Sequence, residues 1–318
     1  MGKVLVTGAT GFVGSHLVRH LAEKGYKVRG VSRKEVSPFP EMNNYEHAKI
    51  QDVYSAEAWQ SLLADVDIVV HLIAKTHSSD SGDLKALPDY RHINVDITKA
   101  LLDASSAAGV KRFIYLSSIK AVGEETPIDK PFTEESPCHP VDSYGISKRE
   151  AEELIQKYKE IIDTVIFRPP MIYGPGVKGN FLRLLKAVDR GFPLPFGMIE
   201  NARSMLYVEN LTDAILTCLQ SEKAAGQIYH VADSETPSTK EIMVEMGRHM
   251  GKKPRLVPVP KAMLKAAGFF TGRTSEIRKL TESLVVGIDK ISEALDWEPG
   301  YNISTSIEKT CRWFKENR

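Results

Sequence analysis

Hydrophobic residues occur along the first half of the chain in short apolar runs that alternate with longer amphipathic stretches. The first run, Val4, Leu5 and Val6, is a continuous stretch of strand-forming residues, as expected for a strand buried on both faces of a parallel sheet. Similar patterns predict the other elements of this half: strands over 27–31, 68–72, 112–117 and 164–167, and helices over 12–24, 56–64 and 93–108. The alternation predicts an α/β fold, a doubly wound parallel sheet with helices on both faces.

Three glycines, Gly8, Gly11 and Gly14, stand between the first strand and the first helix. Glycine lets the turn tighten and lets the backbone approach a pyrophosphate, whose charge is then held by free N–H groups and the positive end of the helix. The alternative is an ordinary glycine-rich turn. The strand before, the helix after and the G-x-x-G-x-x-G spacing favour dinucleotide binding on a Rossmann-type sheet.

The second half of the chain has a different, mainly helical pattern. It begins with a turn rich in proline and glycine over 168–176, and a capping box from Ser238 to Glu241 predicts a helix toward Met250. An amphipathic stretch over 261–270, which could also suit a partner or a membrane surface, is expected to pack as a lid. We therefore predict a dinucleotide-binding domain over 1–168. A smaller, mainly helical substrate-binding lobe would cover 169–318, with some chain returning to the first domain.

The composition limits the classes of partner that we expect this protein to bind. The 318 residues carry 42 basic and 41 acidic side chains, a formal net charge of +1, which argues against nucleic acid or an acidic membrane surface as a standing partner. Cys138, Cys218 and Cys311 are isolated and have no metal-ligand spacing, so no metal is expected. The immediate first strand and the lack of an apolar run of about 20 residues lead us to expect a soluble, cytoplasmic protein.

The end of the second strand bears on the cofactor. An acidic residue at this position would bind the ribose 2′-hydroxyl of NAD, but the strand ends in Ser32, Arg33 and Lys34. A hydroxyl and two cations favour the 2′-phosphate of NADP. If Arg33 and Lys34 instead form an ordinary solvated loop, NAD remains open.

Candidate chemistry lies in two stretches, 113–123 and 143–148. Tyr144 and Lys148 stand at i and i+4, so they project from the same face of a helix. A nearby ammonium favours the phenolate, and we expect it to lower the pKa of Tyr144 toward neutrality. Ser118, at the end of the preceding strand, would orient the substrate oxygen. A surface pair on an amphipathic helix is the alternative, and His71 is expected to be a packed strand-end histidine.

These motifs together resemble the extended short-chain dehydrogenase/reductase family, in its nucleotide-sugar branch. The resemblance rests on TGATGFVG, on SYGISK downstream of the serine strand, and on RPPMIYGPG, which is similar to the family's RxxNxYGP turn. It implies a hydride-transfer enzyme with a nicotinamide cofactor, a nucleotide-sugar substrate and a homodimeric assembly. It also implies further cofactor contacts, at Phe12, Val13, Asp52, Val53, Ala74 and Lys148.

The resemblance extends to the substrate lobe. Matching positions imply contacts from Asn180 and Phe196 at the uridine and from Arg203 at the diphosphate, although each could be structural. Met171 replaces the usual asparagine, and a second diphosphate arginine could be Arg273 or Arg278. Asn94 matches an asparagine with a structural or proton-relay role, for which a helix-start polar residue is the alternative.

The choice of reaction rests on the residues beside Ser118. Related 4,6-dehydratases carry an Asp-Glu pair there, whereas this chain has Ile119 and Lys120, so dehydration is not expected. We predict hydride transfer at C4 of a UDP-linked sugar through a 4-keto intermediate, and hence a UDP-hexose 4-epimerase. An NADPH-dependent UDP-4-keto-6-deoxy-sugar reductase is the first alternative. A steroid- or flavonoid-type ketoreductase is the second and would need an apolar pocket in place of Asn180 and Arg203.

Overall fold

A seven-stranded parallel sheet forms the centre of the protein, whose computed structural model describes residues 2–76 and 84–318. The chain has nine described strands: β1 Lys3–Thr7, β2 Lys27–Ser32, β3 Tyr45–Lys49, β4 Ile68–His71, β5 Arg112–Leu116, β6 Asp163–Arg168, β7 Met171–Tyr173, β8 Met205–Tyr207 and β9 Gln227–His230. The large sheet has the order β3-β2-β1-β4-β5-β6-β9, and β7 pairs with β8 in a small second sheet. This order confirms the predicted doubly wound Rossmann-type fold.

Helices cover both faces of the sheet and build most of the C-terminal part. They are α1 Phe12–Glu23, α2 Ala56–Leu63, α3 Leu87–Arg91, α4 Ile97–Ala107, α5 Ser143–Gln156, α6 Gly179–Asp189, α7 Val208–Gln220, α8 Thr239–Met250, α9 Lys261–Phe270, α10 Thr274–Thr281, α11 Asp289–Leu295 and α12 Ile303–Glu316. The capping box before α8 is present as predicted, with the Ser238 hydroxyl accepting from the backbone N–H of Glu241. The stretch 77–88, whose serine, proline and charged residues predict a loop on the substrate side of the sheet, lies largely outside the described residues.

The core consists of apolar layers on the two faces of the sheet. Alternate residues of β1 point to opposite faces: Val4 and Val6 pack with α1 and α7, while Leu5 packs with α2, α4 and α5. Because both faces are covered, β1 is apolar at every central position, which is why its sequence is a continuous apolar run. Because all seven strands are parallel, their carboxyl ends lie at one edge of the sheet, and this is the edge where ligands of such sheets bind.

A second core belongs to the C-terminal part of the chain. It joins β7, β8, α6, α8 and α12 through Tyr173, Tyr207, Phe181, Met243 and Ile307. The chain also returns to the large sheet, because β9 pairs with β6 and α7 packs on its face. The division of the chain at residue 168 into a dinucleotide-binding domain and a substrate-binding lobe stays a prediction. Within the described part of the chain, no helix is both long and apolar enough to cross a bilayer.

Candidate active site

The loop between β1 and α1 is built for close approach. Gly8 has a φ of +65°, in the left-handed region, and a Cβ on Gly14 would lie 2.2 Å from the Gly8 carbonyl oxygen. Gly11 caps α1 without a side-chain hydrogen bond, so the first N–H groups of the helix are available to an anion. This geometry fits the pyrophosphate of a dinucleotide.

Hydrogen bonds of His71 connect the end of β1, just before this loop, to β4 and α4. Thr7 Oγ1 lies 2.8 Å from Nδ1 of His71, and His71 Nε2 lies 3.0 Å from Oγ1 of Thr98. Thr7 Oγ1 also accepts from the backbone N–H of Leu72 at 2.9 Å. Burial, with a smaller effect of the Lys148 charge, lowers the pKa of His71 to about 3, so the ring stays neutral. His71 is therefore a packed structural residue, as expected.

Asn94 lies in a π-helical turn, His92–Asp96, that leads into α4. Its Oδ1 accepts from the backbone N–H of Lys75 at 2.8 Å, and its Nδ2 donates to Lys75 O at 3.1 Å and to Ser147 Oγ at 2.9 Å. Asn94 thus ties the segment after β4 to helix α5. Turns of this kind often occur at functional sites, and the sequence pattern, a plain helix over 93–108, did not predict this one.

Tyr144 and Ser118 meet at the start of α5. Asp142 caps this helix through a 2.7 Å hydrogen bond from the Gly145 N–H, which fixes Tyr144 in the first turn. Tyr144 and Ser118 are both nearly buried, and their side chains are hydrogen-bonded. The neighbouring Ser117 bonds to Glu152 instead, so Ser118 is the serine that meets the tyrosine.

The environment of Tyr144 corrects one expectation. Its pKa is raised above the usual value, chiefly because burial penalises the phenolate, and the Ser118 hydrogen bond offsets only part of this. The expected lowering of this pKa toward neutrality by Lys148 is therefore wrong. The spacing rule correctly placed the two residues on one helix but could not weigh their desolvation.

Lys148 is buried and held by β5. Its Nζ donates to the Leu116 carbonyl oxygen at 2.7 Å and to the Tyr115 hydroxyl at 3.0 Å. Burial lowers the pKa of Lys148 from 10.5 to about 7, although the Glu152 carboxylate opposes the shift. A lysine amine that titrates near neutrality can exchange a proton with its surroundings during a reaction.

A buried ion pair lies one helical turn beyond Lys148. Glu152 accepts from Arg168 at 3.0 Å (Nε) and 2.7 Å (Nη2), and it also accepts from the Ser117 hydroxyl. The pair joins the ends of β5 and β6 to α5, the helix that carries Tyr144. The sequence motifs did not predict this pair. The available signal was Glu152 at i+4 from Lys148, because a carboxylate on that face must be buried as well.

The other predicted cofactor residues lie at the ends of the first strands and in α1. Ser32 is buried and its Oγ accepts from the Lys34 N–H at 3.1 Å, whereas Arg33 is exposed. Asp52 is exposed and caps the turn before α2 through the Tyr54 N–H. The remaining predicted contacts are half-buried: Phe12, Val13, Val53 and Ala74.

Predicted substrate residues divide into three environments. Asn180 is exposed in the first turn of α6, while Phe196 is buried in the second core, a placement that favours its core role. Arg203 is half-buried and donates to the Glu282 carbonyl oxygen at 3.3 Å; burial lowers its pKa to about 10. Among the described residues Arg203 has no ion pair. Arg278, by contrast, pairs with Glu125 at 2.7 Å.

Of the remaining residues singled out by sequence, two lie at the surface and Lys120 is half-buried. Met171 and Arg273 are both exposed, and Arg273 stands at the cap of α10, 4.0 Å from a Glu276 oxygen. Lys120 forms ion pairs with Glu124 and Asp142, so its charge is balanced by two carboxylates beside the Ser118 strand end.

Comparison with known proteins identifies the class. Residues 4–232 match the NAD dependent epimerase/dehydratase family, and the chain belongs to this family of enzymes. This membership confirms the resemblance to the extended short-chain dehydrogenases and the enzymatic nature of the protein.

Among individual relatives, the chain is similar to UDP-glucose 4-epimerase of Vibrio cholerae, with 36% identity over 98% of this chain and 95% of that protein. It is 30% identical to N-acetyl-alpha-D-glucosaminyl-diphospho-ditrans,octacis-undecaprenol 4-epimerase of Escherichia coli O157:H7, over 82% of this chain and 77% of that protein. Its fold is similar to UDP-glucuronic acid 4-epimerase from Bacillus cereus in complex with NAD, with a TM-score of 0.80, 24% identity and coverage of 99% of both chains.

Proposed function

We propose that this protein is a UDP-hexose 4-epimerase acting on a UDP-linked glucose or N-acetylhexosamine. The observation that carries the proposal is the hydrogen-bonded pair of Ser118 and Tyr144, with Lys148 one turn further along helix α5. The glycine loop after β1, which fits a pyrophosphate, supports it. The similarity to a UDP-glucose 4-epimerase over nearly the whole of both chains supports the same reaction.

In this proposal Tyr144 exchanges a proton with the C4 oxygen of the sugar, and Ser118 orients that oxygen. The bound nicotinamide would supply hydride exchange at carbon. Lys148, when protonated, would stabilise the phenolate of Tyr144, and its lowered pKa allows that charge to be gained and lost near neutral pH. Gly8, Gly11, Gly14 and the first turn of α1 would hold the cofactor pyrophosphate.

Arg203 is the proposed partner of the substrate diphosphate. It is half-buried without an ion pair in the described ranges 2–76 and 84–318, and a planar guanidinium suits two phosphate oxygens. Lys279 adds a second half-buried cation near Lys120, and burial and the Lys120 charge lower its pKa. A half-buried guanidinium at the substrate position would not suit a steroid or flavonoid. Asn180 and Phe196 remain proposed uridine contacts.

Dehydration is not part of the proposal. Lys120 stands where a dehydratase carries a carboxylate, and it is neutralised by Glu124 and Asp142 rather than by a substrate group. Proton transfer at the sugar would therefore depend on Tyr144 and Ser118.

The net reductase remains the second candidate because of the end of β2. Arg33 is exposed there and the nearby Glu35 pairs with Lys49, so the Arg33 guanidinium would be available to a 2′-phosphate. We propose that NADP binds at least as well as NAD.

We also propose that the protein is a cytoplasmic homodimer. A measurement of its mass in solution would test the assembly.

Product analysis separates the candidates. The full-length protein would be incubated with UDP-glucose, UDP-N-acetylglucosamine or a UDP-4-keto-6-deoxy sugar while the nicotinamide absorbance is followed. Inversion at C4 without net consumption of reduced cofactor supports the epimerase. Stoichiometric consumption of NADPH identifies the reductase, and the absence of both with every UDP-sugar would overturn the proposed function.

A further inference from the structure

Helix α9 is far more exposed than its apolar sequence predicts. Only Leu264 and Gly268 of its ten residues are buried, so it does not pack as a lid with its apolar residues covered. Phe269 is 75% exposed and Phe270 is 85% exposed, and Met263 is also exposed. Two adjacent phenylalanines left in water cost free energy unless another surface covers them.

The exposed phenylalanines form the tip of a helical hairpin. Gly268 lets α9 approach α10, because a Cβ at this position would lie 3.0 Å from Ile277. The two helices are joined by a short turn in which Gly272 has a φ of +69°. Phe269, Phe270 and Arg273 therefore lie at or beside the turn, and the Arg273 side chain is 74% exposed.

The charge of this part of the chain is strongly asymmetric. Residues 252–281 contain eight Lys or Arg and one acidic residue, Glu276, whereas the other 288 residues contain 34 basic and 40 acidic residues. The net charge of +1 conceals this separation, although Lys252 and Arg278 pair with carboxylates outside the range and Arg273 lies 4.0 Å from a Glu276 oxygen. Lys261 and Lys265, on the same helix as the phenylalanines, both pair with Glu282, but their side chains remain about half exposed.

We propose that the tip of the α9–α10 hairpin is a docking surface for an anionic lipid bilayer. Exposed aromatic residues beside lysine and arginine are the combination that binds an interface peripherally, because the rings enter the headgroup boundary while the cations meet lipid phosphates. Such binding needs no membrane-spanning helix. It is independent of the proposed reaction.

The hairpin also connects this surface to the candidate active site. Helix α10 is eight residues long, about 12 Å, and near its other end Arg278 pairs with Glu125. Lys279, the next residue, lies close enough to Lys120 and Asp142 for their charges to affect its pKa. A bilayer at the tip would therefore lie close to the side of the protein where we propose that the sugar diphosphate binds.

Flotation of the full-length protein with lipid vesicles tests the proposal. We expect binding to vesicles that contain phosphatidylglycerol, about tenfold weaker binding to pure phosphatidylcholine vesicles, and weakening by added salt. The double variant Phe269→Ser/Phe270→Ser and the variant Arg273→Glu should each lose about tenfold in binding to the anionic vesicles. The circular dichroism of both variants should match that of the parent protein, and so should the turnover of a soluble UDP-sugar by the double phenylalanine variant.

Matched controls use residues exposed elsewhere. Val36→Ser/Ile161→Ser removes two apolar side chains that are 77% and 65% exposed, and Lys24→Glu reverses an exposed cation; none of these should change vesicle binding. Equal binding of the parent to anionic and neutral vesicles would overturn the proposal, as would unchanged binding of the double phenylalanine variant. A change of oligomeric mass in that variant, with vesicle binding intact, would instead identify an interface between copies. The binding readout needs no turnover, so failure of docking and failure of the epimerase proposal are separable.

Discussion

The Nζ of Lys148 donates a 3.0 Å hydrogen bond to the hydroxyl of Tyr115, and the same Nζ lies 4.3 Å from the centre of the Tyr115 ring. Both side chains are almost fully buried, so β5 holds the amine of α5 in a dry environment. This burial, rather than the two contacts, lowers the pKa of the Lys148 amine from 10.5 to about 7.

Replacing Lys148 should therefore stabilise the unliganded protein at neutral pH. Between about pH 7 and 10.5 the unfolded chain binds a proton on Lys148 that the folded chain does not, so the free energy of unfolding rises with pH in this interval, by up to about 1.4 kcal/mol per pH unit. Lys148→Met removes this dependence. Denaturant titrations at pH 7 and pH 10 should show that its advantage over the parent shrinks at the higher pH.

The control is Lys99→Met, because Lys99 is an exposed lysine of α4. Its stability relative to the parent should stay constant over the same range. The lowered pKa would be contradicted if Lys148→Met were less stable than the parent and the difference in free energy of unfolding were the same at pH 7 and pH 10.

Tyr144→Phe should keep cofactor affinity and lose about 10²–10⁴-fold in turnover, because the ring still fills its site while the proton-exchanging hydroxyl is gone. Steady-state kinetics and nucleotide titration would measure the two properties separately. Tyr158→Phe is the matched control, because the Tyr158 hydroxyl donates to Asp103 and has no role in the proposed proton transfer. Full turnover by Tyr144→Phe would remove Tyr144 from the proposed proton transfer.

Arg33→Ala should weaken NADPH binding about tenfold or more and change NADH binding little, because only the 2′-phosphate offers a charge to the guanidinium. Fluorescence titration of both cofactors measures the ratio. Lys27→Ala, an exposed cation at the other end of β2, should affect neither. An equal loss of affinity for both cofactors would show that Arg33 does not bind the 2′-phosphate.

Arg203→Ala should raise the KM for the UDP-sugar about tenfold or more, because the proposed diphosphate contact is charge-assisted. Stabilisation by UDP in a thermal shift assay should fall in parallel. Arg183→Ala is the control, since Arg183 is an exposed arginine of α6 that pairs with Glu276. An unchanged KM and UDP shift would exclude Arg203 as the diphosphate ligand.

Glu152→Gln should reduce the free energy of unfolding by about 3–5 kcal/mol, because it leaves the buried Arg168 without its counter-charge. Chemical denaturation measures the loss. Glu308→Gln breaks the exposed pair with Arg312 and should leave stability nearly unchanged. If the two variants behave alike, the Glu152–Arg168 pair does not hold the ends of β5 and β6 to α5.

The sequence alone determined the parts of this protein that depend on local spacing. The apolar run at Val4–Leu5–Val6 and the glycines after it predicted β1, the tight loop and α1, because strand period and glycine geometry act over a few residues. The i, i+4 spacing of Tyr144 and Lys148 likewise placed them on one helix. Family membership confirmed the enzyme class that these motifs indicated.

Only the tertiary structure decided what depends on burial and on contacts between distant segments. The raised pKa of Tyr144, the lowered pKa of Lys148 and the buried Glu152–Arg168 pair follow from desolvation by strands that a spacing rule does not see. The π-helical turn at Asn94 and the exposure of Phe269 and Phe270 follow from how neighbouring helices pack. Local pattern fixes which residues share a face, whereas the free energy of a charge or an apolar ring depends on what the rest of the chain places around it.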